Sequence, residues 1–299
     1  MNTQPPRIHR HRSPLGTWES ASRMPHPRLR GIVRDPYTGW TESTSFRRPE
    51  VAYPGIVMIL NFEPGLRIHD PRRASSVEVR SFVAGLHDSW VMTESGGMSH
   101  GVQVNLTPLG AHQLFGLSMH ELTNGVFGLD DVLGAAGRDL TARLEDAPDW
   151  ASRFDILDAF MSERLQHARA PSTEVTHAWS RLLLSAGQLR IGDLTRELGW
   201  SRQLLITRFR EEIGMPPKTI ARILRFDHAV RRLKQIGDVR WTDLALSCGY
   251  YDQAHMIREF GEFAGASPTV FARRVLPTIV AWADGATGED ATPPVAGAA

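Results

Sequence analysis

Residues 194–217 read LTRELGWSRQLLITRFREEIGMPP, and residues 244–268 read LALSCGYYDQAHMIREFGEFAGASP. Both stretches carry apolar residues, glycines and prolines in the same order, so that Leu194 and Gly199 recur 50 positions later as Leu244 and Gly249. Further pairs, one position further apart, are Ser201 with Asp252, Phe209 with Phe260, Gly214 with Gly265 and Pro217 with Pro268. A repeat of this kind predicts two copies of one small structural unit.

Each copy has the pattern of a helix-turn-helix. In the first copy, Leu194 and Leu198 lie four positions apart on one helical face. Gly199 then supplies the conformational freedom that a tight turn between two helices needs. Ser201 follows, and a serine caps the next helix because its side-chain oxygen accepts a hydrogen bond from a free backbone N–H. Asp252 is predicted to cap the corresponding helix of the second copy in the same way.

The second helix of each copy is predicted to have an inward apolar face and an outward face that reads DNA. Leu205 and Phe209 lie four positions apart and pack inward. The outward residues of the first copy are Arg202, Gln203, Ile206, Thr207 and Arg210. The outward residues of the second copy are Gln253, Ala254, Ile257 and Arg258. Long hydrogen-bonding side chains on an exposed helix suit insertion into a DNA major groove, so these residues are the candidate DNA-binding residues.

A long helix is predicted between the two copies. Pro217 can occupy the first turn, where its missing N–H costs nothing, and apolar residues then follow at helical spacing up to Gly237. Such a helix has about 18 residues and spans about 27 Å at 1.5 Å per residue. This length is comparable with the ~34 Å turn of B-DNA, so both outward helices are expected to face successive major grooves.

The stretch resembles the C-terminal DNA-binding domain of the AraC/XylS family of bacterial transcription regulators. The residues that carry the resemblance in the first copy and the linking helix are Leu194, Gly199, Ser201, Leu205, Phe209, Gly214, Pro217, Arg225 and Ala229. Those in the second copy are Ala245, Gly249, Asp252, Gln253, Met256, Arg258, Phe260, Gly265, Pro268 and Phe271. The resemblance implies that the two outward helices read DNA. The sequence departs from the family at Thr207, where arginine is frequent, and at Ala254, where a polar residue is common.

Charge and composition fit a nucleic-acid-binding protein of two domains. The 299 residues have room for two cores, and the net charge is only +1. Between Gln188 and Arg274, however, 15 basic residues face 10 acidic ones, which favours contact with phosphate in this part of the chain. No apolar run has the length of a membrane span, and no signal peptide is evident, so a cytoplasmic location with the bacterial nucleoid and no membrane partner is expected.

The N-terminal half has the pattern of a small β-rich domain. The predicted strands are Leu29–Val33, Gly55–Phe62, Val77–Ala84, Ser89–Thr93 and His100–Leu106. Predicted helices follow over Ala111–Leu117, around Asp130–Leu144 and over Trp150–His167. Many regulators that resemble this chain carry a cupin-like β-barrel before the DNA-binding domain, and the strand pattern agrees with that expectation.

These patterns predict an α+β protein in which a cupin-like β-barrel with flanking helices precedes an all-α domain of two helix-turn-helix motifs joined by a long helix. Residues 1–14 are expected to be a flexible arm, and residues 15–170 a sensor and dimerisation domain. Residues 174–275 are expected to be the double helix-turn-helix domain, and residues 276–299 are expected to be a disordered tail.

The sequence predicts neither an enzyme nor a resident cofactor. The metal-type ligands of the strand region are His69, Asp70, His87, Glu94 and His100, and they lack the closely spaced histidine pair followed by a glutamate that metal-binding cupins show. No metal and no catalytic residue is therefore expected, and the effector-binding residues are unknown.

The predicted function is sequence-specific DNA binding as a transcription regulator that responds to an effector through its N-terminal domain. The expected partners are double-stranded promoter or operator DNA, a small-molecule effector, RNA polymerase if the protein is an activator, and a second copy of the chain. The homodimer is predicted from the apolar face of Trp150–His167.

Two alternatives remain open at this point. One is a DNA alkylation-repair protein fused to the same DNA-binding domain, which would need a cysteine nucleophile. Cys248 is the only cysteine and lies inside a predicted helix-turn-helix, where a packed apolar role is expected instead. The other is a ligand-binding cupin-like protein without DNA function, which would leave the doubled motif unexplained.

Overall fold

The computed structural model describes residues 4–13, 16–235 and 240–274. Its N-terminal part contains the strands β1 Arg7–Ser13, β2 Gly16–Arg23, β3 Tyr37–Glu42, β4 Phe46–Glu50, β5 Ile56–Asn61, β6 Leu66–Asp70, β7 Ser75–Val79, β8 Phe82–Ala84, β9 Val91–Ser95, β10 Ser99–Leu106 and β11 Val126–Gly128. The helices are α1 Pro108–Phe115, α2 Leu129–Leu133, α3 Ala135–Glu145, α4 Trp150–Gln166, α5 Thr173–Leu184, α6 Ile191–Leu198, α7 Arg202–Glu212, α8 Pro217–Leu233, α9 Trp241–Ser247 and α10 Gln253–Ala264. Residues 268–274 are also helical. The tail predicted to be disordered, residues 276–299, lies outside the described residues.

The strands form two antiparallel sheets. Seven strands follow the order β1-β2-β3-β10-β5-β8-β11, and four follow the order β4-β9-β6-β7. Strand β10 lies at the centre of the larger sheet, where Val102 is paired with Gly39 of β3 and with Leu60 of β5. The predicted α+β class, with a sheet-rich N-terminal part and a helical C-terminal part, is confirmed. The sheets enclose a cavity between them but do not join into one closed ring.

Several N-terminal predictions need correction. The expected flexible arm over residues 1–14 contains β1, which pairs with β2 from Arg7 opposite Ser22 to Ser13 opposite Gly16. Backbone hydrogen bonds hold this strand although its arginines and histidines give no apolar signal. The strand expected over Leu29–Val33 begins instead as a 3-10 helix over Pro27–Leu29, because proline favours a first helical turn.

Two further predicted elements are each divided. The expected strand Val77–Ala84 is split into β7 and β8, which belong to different sheets. The helix expected around Asp130–Leu144 is divided into α2 and α3 at Gly134, whose φ of 63° is a backbone conformation that glycine adopts more readily than other residues.

Helix α4 uses its apolar face inside the chain. Its residues Trp150, Phe154, Leu157 and Met161 are buried, and the Phe154 ring lies 5.6 Å from the ring of Tyr37 in β3. Burial of apolar side chains of this size contributes roughly 1.5–3 kcal/mol each, so α4 is fastened to the larger sheet.

The N-terminal and C-terminal parts share one hydrophobic core and contact each other directly. Thr123 donates its hydroxyl to the carbonyl oxygen of Gly214 at 2.8 Å, and the N–H of Ala52 donates to the carbonyl oxygen of Phe263 at 2.9 Å. The connection between α4 and α5 ends at Ser172, whose N–H and hydroxyl both donate to Glu212 at the end of α7. These contacts hold the helical part against the sheets.

Candidate nucleic-acid interface

Both predicted helix-turn-helix units are present. In the first unit, Gly199 has a φ of 65°, and the hydroxyl of Ser201 accepts a hydrogen bond from the N–H of Leu204 at 3.1 Å. In the second unit, Gly249 has a φ of 78°, and Asp252 accepts from the N–H of His255 at 2.7 Å. The left-handed glycine ends one helix and the capping side chain starts the next, as the sequence predicts.

The candidate DNA-binding residues lie on the outward faces of α7 and α10. On α7, Arg202, Gln203, Thr207 and Arg210 are exposed and Ile206 is half-buried, whereas Leu205 and Phe209 are fully buried. On α10, Ala254, Ile257 and Arg258 are exposed and Gln253 is half-buried. Each set therefore forms one surface on one helix.

The arginines of these faces differ from most other arginines of the protein. Across the described residues, no carboxylate lies within ion-pair distance of Arg202, Arg210 or Arg258. Their neighbours Arg196 and Arg208 are paired within their own helices, to Asp193 and Glu211 respectively. Guanidinium groups without an internal partner keep all their donors available for a phosphate or for the edge of a guanine.

Gln253 is oriented by the preceding helix. The hydroxyl of Thr242 in α9 donates to the side-chain carbonyl oxygen of Gln253 at 3.3 Å. This contact leaves the amide NH2 group of Gln253 as the donor that can face outward.

A buried carboxylate fixes α10 on the long helix α8. Glu259 is 3% exposed and receives the Nε donor of Arg222 at 2.7 Å, while Arg225 lies 3.7 Å away. Burial opposes the charge of Arg222, but its hydrogen bonds to Glu259 and Glu262 outweigh this effect and raise the pKa of the guanidinium. Of these residues, only Arg225 was singled out from the sequence, because one buried acid such as Glu259 on a helix has no periodic signal.

Aromatic packing completes the attachment of α10. The ring of Phe226 in α8 lies 4.9 Å from the ring of Phe260 and 5.4 Å from that of Phe263. Phe226 also meets Phe271 at 6.4 Å, so three aromatic residues that follow Gly249 surround one residue of α8. Because α8 also contacts α5, α7 and α9, the two outward helices are held on one rigid support.

The metal-type ligands and the cysteine of the described residues bear on metal binding and on nucleophilic chemistry. Among residues 4–13, 16–235 and 240–274, no group of three or more histidine, cysteine, aspartate or glutamate side chains is placed to hold a metal ion. Cys248 is fully buried, and this burial raises the pKa of its thiol, which disfavours the thiolate that a nucleophile requires. No helix in the described part of the chain is long and apolar enough to cross a membrane.

Comparison with known families gives the same assignment for this part of the chain. The sequence of residues 194–274 matches the helix-turn-helix domain family. These residues form a helix-turn-helix domain of the AraC type. An AraC-type domain is characteristic of DNA-binding transcription regulators, so the resemblance noted in the sequence is confirmed.

Similar solved structures extend beyond the AraC-type domain. A 1.65 Å structure of ToxT from Vibrio cholerae is 12% identical, with a TM-score of 0.46, over 78% of this chain and 98% of ToxT. An unsaturated-fatty-acid-bound ToxT from Vibrio cholerae strain SCE256 is 12% identical, with a TM-score of 0.45, over 84% of this chain and 96% of ToxT. The AraC-like transcriptional activator CuxR is 14% identical, with a TM-score of 0.32, over 74% of this chain and 80% of CuxR. No curated protein sequence matches the chain.

Proposed function

We propose that the protein is a sequence-specific, effector-responsive transcription regulator that binds promoter or operator DNA through Arg202, Gln203, Ile206, Thr207 and Arg210 of α7 and Gln253, Ala254, Ile257 and Arg258 of α10. The observation that carries this proposal is the presence of two exposed helix faces on one support, with arginines that have no carboxylate partner among the residues that the structure describes. Phosphate contacts would supply most of the affinity, and contacts to base edges would supply the specificity.

The test is selection of genomic DNA fragments by the purified full-length protein, followed by affinity measurement on the selected site and on random DNA. Specific binding at physiological salt should exceed random binding by about 10³-fold or more. Equal affinity for both DNAs would contradict a sequence-specific regulator.

We further propose that an effector occupies the cavity between the two sheets. The cavity has a volume of about 200 Å³, and its walls include Trp40, Phe46, Ile59, Leu66, Ile68 and Phe82. At its polar side, Arg48 and Glu42 form a hydrogen-bonded ion pair at 2.7 Å with side chains only 13% and 10% exposed. The volume lies below the ~300–1,000 Å³ that is usual for ligand pockets, so a small apolar molecule with one polar group fits best.

Indole is a suitable probe because it is small, apolar and carries one N–H donor. Indole binding should produce a heat change in a calorimetric titration, which avoids the overlap of indole emission with that of the cavity residues Trp18 and Trp40. Ala84→Phe, which adds volume to the cavity wall, should abolish the change, whereas Ala142→Phe on the exposed surface of α3 should leave it intact. An indole response that survives Ala84→Phe would place the ligand elsewhere.

The remaining partners follow from the same proposal. A regulator that activates would contact RNA polymerase, and DNA binding requires a cytoplasmic, nucleoid-associated location. The homodimer stays a proposal, and the face of α4 that suggested it is partly covered within the chain, since Phe154, Leu157 and Met161 are buried there. Light scattering at tens of micromolar distinguishes monomer from dimer.

A further inference from the structure

The effector cavity and the DNA-binding part share a loop. Tyr53 and Gly55, which lie between β4 and β5, line the cavity. Ala52 of the same loop donates its backbone N–H to the carbonyl oxygen of Phe263 in α10 at 2.9 Å. A displacement of this loop by a ligand therefore acts directly on the second helix-turn-helix unit.

A chain of hydrogen bonds connects a second part of the cavity wall, at Gln103, with Tyr53 of this loop. Gln103 lines the cavity and donates from its side-chain amide to the Oδ1 atom of Asn105 at 2.8 Å. Asn105 in turn donates to the carboxylate of Asp35 at 3.3 Å. The hydroxyl of Tyr53 also donates to Asp35. Asp35 thus accepts hydrogen bonds from Tyr53, which lines the cavity, and from Asn105, which is bonded to the cavity residue Gln103.

Arg34 connects this network with the support of the DNA-reading helices. Its guanidinium lies 4.8 Å from the centre of the Tyr53 ring and donates to the carbonyl oxygen of Pro54 at 2.9 Å. It also donates to Asp227 of α8 at 3.0 Å, and the side chains of Arg34 and Asp227 are only 15% and 12% exposed. A partly buried, charge-assisted hydrogen bond of this kind is stronger and more directional than a surface ion pair.

We propose that the Arg34–Asp227 ion pair transmits the state of the cavity to α8, so that Arg34 and Tyr53 are positioning residues for the two DNA-reading helices. This inference rests on the proposed function. A molecule that displaces Tyr53 or Gln103 removes part of the hydrogen bonding of Asp35 and shifts the ring on which Arg34 stacks. Arg34 then carries the shift to α8, which contacts both α7 and α10.

A double-mutant cycle on the full-length protein tests this coupling without a known ligand. Gln103→Leu breaks the network at the cavity, and Arg34→Met breaks it at α8 while it retains an unbranched side chain. Gln103→Leu should change operator affinity by at least about 5-fold in the wild-type background, the lower end of typical allosteric couplings. In the Arg34→Met background the same substitution should change the affinity less than about 2-fold. Additive effects, or no effect of Gln103→Leu in either background, would overturn the proposal.

Two variants serve as controls for folding and for the loss of any arginine. Asp227→Asn removes the other member of the ion pair and should reproduce Arg34→Met. Arg153→Met removes an arginine that stacks on Trp150 and Phe62 within the N-terminal part, and it should leave the effect of Gln103→Leu unchanged. If Asp227→Asn leaves that effect intact while Arg34→Met removes it, the ion pair is not the transmitting contact.

Hydrogen exchange without DNA separates this proposal from the proposed function. Gln103→Leu should accelerate amide exchange in α8 in the wild-type background but not in the Arg34→Met background. Altered exchange together with absent operator binding would contradict only the function. Unaltered exchange in α8 would overturn the coupling even if the protein binds its operator.

Discussion

Tyr37 of β3 donates its hydroxyl to Asp158 of α4 at 2.8 Å across a separation of 121 positions in sequence. The same carboxylate accepts from the Arg23 guanidinium at 3.0 Å and from the N–H of His26 at 2.8 Å. Burial and the neighbouring carboxylate raise the pKa of Tyr37, so the phenol stays protonated and remains a donor. Asp158 therefore fastens α4 to the sheet at several points.

Tyr37→Phe should destabilise the protein by about 1.5–3 kcal/mol, the usual contribution of a hydrogen bond to a charged group. The ring still packs on Phe154, so the change isolates the hydroxyl. Urea unfolding measures the difference, and Tyr251→Phe, whose side chain is 87% exposed, is the matched control. Equal loss in both variants would mean that the bond to Asp158 contributes nothing specific.

The two outward helices, α7 and α10, should contribute unequally to operator affinity. Arg258 can donate to both acceptors of a guanine edge, whereas Thr207 offers one hydroxyl. Arg258→Ala should cost about 1–3 kcal/mol, or about 5- to 150-fold in affinity, and should relax discrimination at one base pair. Thr207→Ala should cost less. Binding to operator variants at two salt concentrations provides the measurement.

Arg138→Ala on α3 controls for loss of positive charge outside the reading helices, since Arg138 is exposed and 3.7 Å from Asp130. Arg258→Ala could instead weaken binding to operator and to random DNA equally and lower the slope of log affinity against log salt concentration by about one. In that case Arg258 contacts phosphate, and the prediction of unequal base readout is wrong.

Glu259 should matter for DNA binding although its side chain is buried and does not face DNA. Glu259→Leu leaves Arg222 with Glu262 as its ion-pair partner. The free energy of unfolding should fall by about 2–3 kcal/mol. This lies below the ~3–5 kcal/mol of a fully buried pair, because Arg222 still reaches solvent. The second helix-turn-helix should loosen, with faster amide exchange in α10 than in α7. Glu262→Leu, which removes the more exposed partner of Arg222, should have a smaller effect.

Acid should destabilise the N-terminal part through His100. Its ring lies 4.9 Å from that of Phe62 and 5.5 Å from that of Trp150. Burial and then Arg153 lower the pKa of His100, so the unfolded chain binds the proton more readily than the folded one. Stability should therefore fall as the pH decreases through about 6.5 toward the lower folded-state pKa. His100→Phe should flatten the dependence of the unfolding free energy on pH between 7 and 5. An unchanged slope would mean that other titrating groups cause the pH dependence.

The C-terminal half could be predicted closely from sequence because its signals are local. Gly199, Ser201, Leu205 and Phe209 each have a role set by neighbours within one or two helical turns, and all adopt it. The repeat then supplied the same assignment twice. The nine outward positions were found in this way, since an exposed face is the complement of a buried one.

The N-terminal half was harder to predict from sequence because its strands depend on partners that are distant in the chain. Strand β4, with the sequence FRRPE, contains a proline and two arginines and is held by β9, which begins 41 positions after Glu50. The Arg34–Asp227 pair joins residues 193 positions apart, and no local pattern identifies either member. Contacts of this range come from packing of the whole chain.

The length of α8 should limit the operators that the proposed regulator can recognise. Nine of its 17 residues are buried, and it spans about 26 Å. It therefore holds α7 and α10 at a fixed separation. One extra base pair between the two recognised segments would rotate the second by about 35° around the duplex and move it away from its helix. The helix cannot stretch to follow, so any adjustment must come from bending or twisting of the DNA. Spacing between the half-sites should therefore be as strongly selected in natural operators as the bases themselves.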